Sequence, residues 1–172
     1  MLLEKSPDIL VMGLGNILLQ DEGVGVHIVR KLEKKFHFNP LIEIVDGGTI
    51  GIELLSNIEG KKKVLFVDAV NFGKKPGHIQ KLIGEEIMTV MLTKLSEHQT
   101  GLTEILSTAK LMDIKNEELI LLGVQPSSID MGLDLSNDLE TACEKVIDVI
   151  LDILDSWGVS YWSHHQNKSI QF

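Results

Sequence analysis

The 172-residue chain has a single cysteine, Cys143. No intramolecular disulfide is possible, and no cysteine cluster is available for zinc or an iron–sulfur centre. A reducing cytoplasm suits such a chain best. Positive charge is also scarce: 16 Lys and Arg stand against 25 Asp and Glu, a formal net charge of −9. Lys61-Lys62-Lys63 is the only run of three basic residues, and it falls in an expected helix-to-strand turn. That pattern argues against a nucleic-acid partner, which calls for a basic patch. Long apolar runs are missing as well. The best candidate, residues 146–154, is interrupted by Asp148 and Asp152 and falls short of the roughly 18 residues of a membrane span. The first nine residues include Glu4, Pro7 and Asp8 and lack the apolar centre of a signal peptide.

What is present describes a folded domain. Hydrophobic residues make up 44% and charged residues 24%, ordinary proportions for a globular protein. A chain of this length forms one domain and buries roughly 70% of its unfolded surface. We place that domain at residues 1–158, with a polar, frayed tail over 159–172. Acidity is uneven: residues 1–86 carry 11 basic and 12 acidic side chains, residues 87–172 carry 5 and 13. Six of those acids lie between 138 and 155 against Lys145 alone. They fall on the face of an expected helix opposite its apolar stripe, where they serve solubility.

Short apolar runs closed by Gly or Asp predict buried strands at Ile9–Met12, Ile42–Val45, Val64–Val67 and Leu119–Leu122. Residues 78–82 alternate polar and apolar, as an edge strand does, and such a strand can be antiparallel. Helical spacing runs through 24–36, 52–58 and 102–112. It is strongest in the last helix, where Ser136 is a good N-cap and Cys143 joins the apolar stripe. Strands alternating with helices predict an α/β fold: a single-domain three-layer sandwich, with a twisted, mostly parallel sheet between helices.

In such sheets ligands bind beyond the carboxyl ends of the strands. The rule selects the loop 13–25, Asp46-Gly47-Gly48, Asp68 and the loop 123–132. Gly13-Leu14-Gly15 begins like a dinucleotide fingerprint, but Leu18 takes the third glycine position and Asp21 and Glu22 would repel a phosphate. No G-x-S-x-G elbow and no H-E-x-x-H occurs. Asp21 or Glu22 reads most simply as a helix cap, Asp68 as a strand-end turn residue and His98 as a polar loop residue. Together, Glu22, Asp68 and His98 make a three-ligand transition-metal site with open positions.

The blocks Gly13-Leu14-Gly15-Asn16 through Asp21-Glu22-Gly23-Val24-Gly25, Asp46-Gly47-Gly48-Thr49, Asp68-Ala69, Ser96-Glu97-His98-Gln99-Thr100-Gly101 and Gly123-Val124-Gln125-Pro126 with Gly132-Leu133-Asp134 resemble, in order, the hydrogenase maturation endopeptidases. The resemblance covers about residues 8–158 and implies a mostly parallel sheet between helices. It implies an endopeptidase that removes the C-terminal extension of a [NiFe] hydrogenase large-subunit precursor after nickel insertion. The family's nickel-contacting residues fall on Glu22, Asp68 and His98. The nickel is carried by the substrate, and other divalent metals can occupy such a site. Asp46, with Gly47 and Gly48, is the expected supporting or substrate contact. Glycines 13, 15, 47 and 48 are expected to let substrate backbone approach closely. A non-catalytic chaperone that binds the nickel-loaded precursor is the alternative from another class.

Overall fold

The computed structural model describes residues 7–49, 51–93 and 100–164. Five strands form the main sheet: β1 (Ile9–Leu14), β3 (Glu43–Gly48), β4 (Lys63–Ala69), β5 (Ile79–Ile83) and β6 (Glu118–Val124). Their order is β3-β1-β4-β6-β5. All pairs are parallel except β5 against β6, so the alternating segment 78–82 is an antiparallel edge strand. β1 is buried along its whole length, as its uninterrupted apolar run requires when helices cover both faces.

Successive side chains of a strand point to opposite faces, and the core divides accordingly. Ile9, Val11, Leu65, Val67, Ile120 and Leu122 pack against α1 (Val24–Lys35) and α5 (Asn137–Ser156). Leu10, Met12, Val64, Phe66 and Leu121 face α2 (Leu55–Ile58), α3 (Glu85–Thr93) and α4 (Thr100–Leu111). Cys143 is fully buried in the first cluster. The six acids of α5 are all exposed, and Glu144 pairs with Lys35 at 2.8 Å.

Three local features differ from the sequence expectation. The first helix stops at Lys35, and Phe36 opens strand β2 (Phe36–Asn39). β2 pairs antiparallel with β7 (Ser160–Ser163), so the chain just after Gly158 is a strand rather than a frayed end. Phe36 meets Tyr161 edge to face at 5.7 Å between ring centroids, a contact that favours the ribbon. The segment 52–58 is a 3-10 turn, Ile52–Leu54, followed by the single turn of α2.

The connections set up the site. From β1 the chain crosses through α1 to β3 on one side, then returns through α2 to β4 on the other side of β1. The loops leaving β1 and β4 therefore diverge, opening a crevice between their carboxyl ends at the topological switch point.

Candidate active site at the switch point

Backbone contact fixes the loop after β1. Gly15 has φ +120°, and a Cβ there would lie 1.7 Å from the carbonyl oxygen of Glu22. Gly25, in the first turn of α1, approaches β4 so closely that a Cβ would lie 2.1 Å from the Val67 carbonyl oxygen. Only glycine permits either approach. The space at Gly13 is likewise filled by the Gly25 backbone, and that at Gly47 by the Leu14 and Leu54 side chains. The Cβ positions of Gly13, Gly15, Gly25 and Gly47 are thus taken by the protein's own atoms. At Gly48, by contrast, the space is open.

Between Gly15 and α1 lies a 3-10 turn, Gln20–Gly23. The sequence expectation of a side-chain cap from Asp21 or Glu22 is not met: the N-cap of α1 is Gly23, without a side-chain hydrogen bond. Asp21 does something else. Its carboxylate is fully buried and accepts from the backbone N–H groups of Ser127 (2.8 Å) and Ser128 (3.0 Å) and from both the N–H (2.7 Å) and the hydroxyl (2.8 Å) of Ser136. Ser136 in turn caps α5 by accepting from Leu139 N–H. One aspartate thus ties the loop after β6 to the turn that carries Glu22. A buried carboxylate needs such partners, and charge-assisted hydrogen bonds are the stronger kind. The sequence signal was present, in an Asp followed far downstream by a Ser-rich loop, but nothing in it indicated that the two would meet.

Glu22 is half-buried, and Asp68 is buried at the end of β4 with 8% exposure. Asp68 accepts one hydrogen bond from Ala69 N–H at 2.8 Å. Burial pushes its carboxyl up to about 7, the nearby Glu22 charge pushes the same way, and the Ala69 N–H opposes them. The structure therefore brings together two of the three expected residues. His98 lies outside the described residues, and among the described residues no three His, Cys, Asp or Glu side chains form a metal-binding group.

Asp46, at the end of β3 and in register with Gly13, does not point a free carboxylate at this crevice. Its Oδ2 pairs with Arg30 (2.6 Å to Nη2, 2.9 Å to Nε) and its Oδ1 accepts from Gly48 N–H at 3.2 Å. On the other flank, Gln125 is buried and braces the loop after β4. Its Oε1 accepts from the N–H groups of Phe72 (2.7 Å) and Lys74 (3.2 Å), and its amide donates to Asn71 Oδ1.

The fold and these residues define an α/β sandwich with an acidic centre at its switch point, held by buried polar braces on both sides. Comparison with known proteins refines that class. Residues 26–153 match the family model for hydrogenase maturation protease. The chain is 37% identical over 152 residues to the hydrogenase 2 maturation protease of Escherichia coli, covering 88% of this chain and 93% of the relative. It is 34% identical to the hydrogenase expression/formation protein HoxM of Cupriavidus necator, covering 87% and 75%. Among solved structures, the hydrogenase maturating endopeptidase HybD from E. coli superposes with a TM-score of 0.85 at 36% identity, covering 92% of this chain and 98% of that one. The chain belongs to the hydrogenase maturation protease family and is a protease of the hydrolase class.

Proposed function

We propose that this protease removes the C-terminal extension of a [NiFe] hydrogenase large-subunit precursor once nickel has been inserted, and that Glu22, Asp68 and His98 take open positions on the substrate's nickel. The observation that carries the proposal is the pairing of Glu22 with a buried Asp68 whose proton affinity is raised. Two carboxyl groups crowded in a crevice of low polarity resist being charged together. An arriving divalent cation reverses that preference, so docking on it ionises Asp68 and releases a proton. Oxygen ligands from carboxylates, with an imidazole, suit a borderline divalent ion, and they leave a thiolate-bound nickel with its substrate.

Nickel held by Glu22, Asp68 and His98 would serve as the recognition element for the loaded precursor, and as a Lewis acid it would polarise the scissile carbonyl or lower the pKa of a bound water. The chain's own part is to orient that cation through Glu22 and Asp68 and to accept a proton at whichever carboxylate oxygen is left unligated. Asp46 supports the site indirectly, by fixing Arg30 and the turn at Gly48.

The test is to incubate the purified protein with nickel-loaded precursor and weigh the large subunit. Loss of one C-terminal peptide is the expected result. An unchanged mass accompanied by complex formation would instead make the protein a chaperone of maturation.

A further inference from the structure

Large apolar side chains exposed to water are concentrated beside the acidic centre. Leu18 is 57% exposed, Met131 88% and Leu133 63%, with Ile129 next to them at 47%. They sit on two loops that run side by side: Leu19 forms a parallel bridge with Gly132, Gly132 N–H donates to Leu18 O at 2.9 Å, and Gln20 N–H donates to Gly132 O at 2.8 Å. In that register Leu18 stands beside Met131. Leu18 precedes Asp21 by three positions and Glu22 by four, so the rim and the acidic centre belong to one segment. Asp21, three residues after Leu18, anchors both ends of the second loop by accepting from the N–H groups of Ser127, Ser128 and Ser136. A preorganised apolar surface of this kind marks a binding site.

We infer that Leu18, Met131 and Leu133 form the docking rim for the precursor polypeptide, receiving an extended apolar stretch next to the scissile bond that also carries a basic side chain. This rests on the proposed proteolysis, which requires a polypeptide to lie across this edge. The charge preference follows from the alternation in Ile129-Asp130-Met131-Gly132-Leu133-Asp134: exposed carboxylates flank the apolar contacts. A second copy of the chain fits less well. Seated here it would close off the acidic centre, and the rim is much smaller than the roughly 20–30 residues a side of a stable dimer interface.

The substitutions fall on exposed side chains, so the fold is expected to survive them. The triple variant Leu18→Ser, Met131→Ser, Leu133→Ser is compared with wild type and with Leu111→Ser, Met112→Ser, a pair exposed to 87% and 57% where α4 ends, at the other end of the sheet. Binding of purified nickel-loaded precursor and its cleavage are measured separately, together with the oligomeric state. The triple variant is expected to raise Kd and KM at least tenfold with kcat within about twofold, while the control pair matches wild type. Values of Kd and KM within twofold of wild type for the triple variant would overturn the rim. So would a wild-type dimer that the triple variant converts to monomer. If wild type binds the precursor without shortening it, the proteolytic reading fails while Kd still decides the rim. If wild type neither binds nor cuts, both fail.

Discussion

At the scale of single residues, Asp68 carries the most information. Its carboxyl is raised to about 7 from the ordinary aspartate value of 3.8. Between those two values the unfolded chain releases a proton that the folded chain keeps, so stability falls as pH rises through the window and is lowest above it. Asp68→Asn removes that penalty. The variant is expected to melt roughly 5 °C or more above wild type at pH 8, with the gap closing toward pH 4, as measured by calorimetry without added metal. The same variant is expected to lose cleavage by about two orders of magnitude or more, as are Glu22→Gln and His98→Ala, all three remaining folded by circular dichroism. Greater stability with lost activity is the signature of a residue kept for its chemistry. Glu22 and Asp68 were legible in the sequence because each ends or follows a strand at the ligand-binding edge. The role of Asp21 was not, because its partners lie more than a hundred residues downstream and a chain reading offers only the local alternative of a cap.

At the scale of elements, the buried Asp21 joins the turn before α1 to the start of α5 through Ser127, Ser128 and Ser136. In Asp21→Asn one oxygen becomes an amide donor facing other donors in a dry site. Broken buried networks of this type cost about 3 kcal/mol, or roughly 10 °C in Tm for a chain of this size. Ser136→Ala, which deletes one bond of the network and the cap of α5, is expected to cost about 1–2 kcal/mol, read by urea denaturation. Gly25→Ala tests the packing of α1 on the sheet. Its Cβ would meet the Val67 carbonyl, and either the helix start shifts, displacing Glu22, or the protein fails to accumulate.

The elements that the sequence disclosed are those with a clear period: the apolar parallel strands, the alternating edge strand β5, and α5 with its stripe, cap and acidic face. It concealed the β2–β7 ribbon, because Phe36 continues the apolar spacing of α1 and Ser160–Ser163, at four residues, is too short to declare a partner. It also concealed α3, whose residues Ile87, Met88, Val90, Met91 and Leu92 place apolar groups on more than one face.

At the scale of the whole molecule, the strand order places one crevice at the switch point, and the glycines around it seat α1 against β1 and β4. The net charge of −9 lies mostly on the exposed face of α5, where it serves solubility. Within the described residues no helix is long and apolar enough to cross a membrane. The protein brings carboxylates and no thiolate of its own to the acidic centre, since Cys143 is buried in the core. On the proposed mechanism, such ligands would engage a metal that remains bound to its substrate. The purified protein is accordingly expected to hold little nickel, as measured by elemental analysis.

The most direct measurement compares one purified precursor, nickel-loaded and nickel-free, incubated with the protein and weighed intact by mass spectrometry. The account predicts that only the nickel-loaded form loses a C-terminal peptide. Equal cleavage of both forms would contradict it.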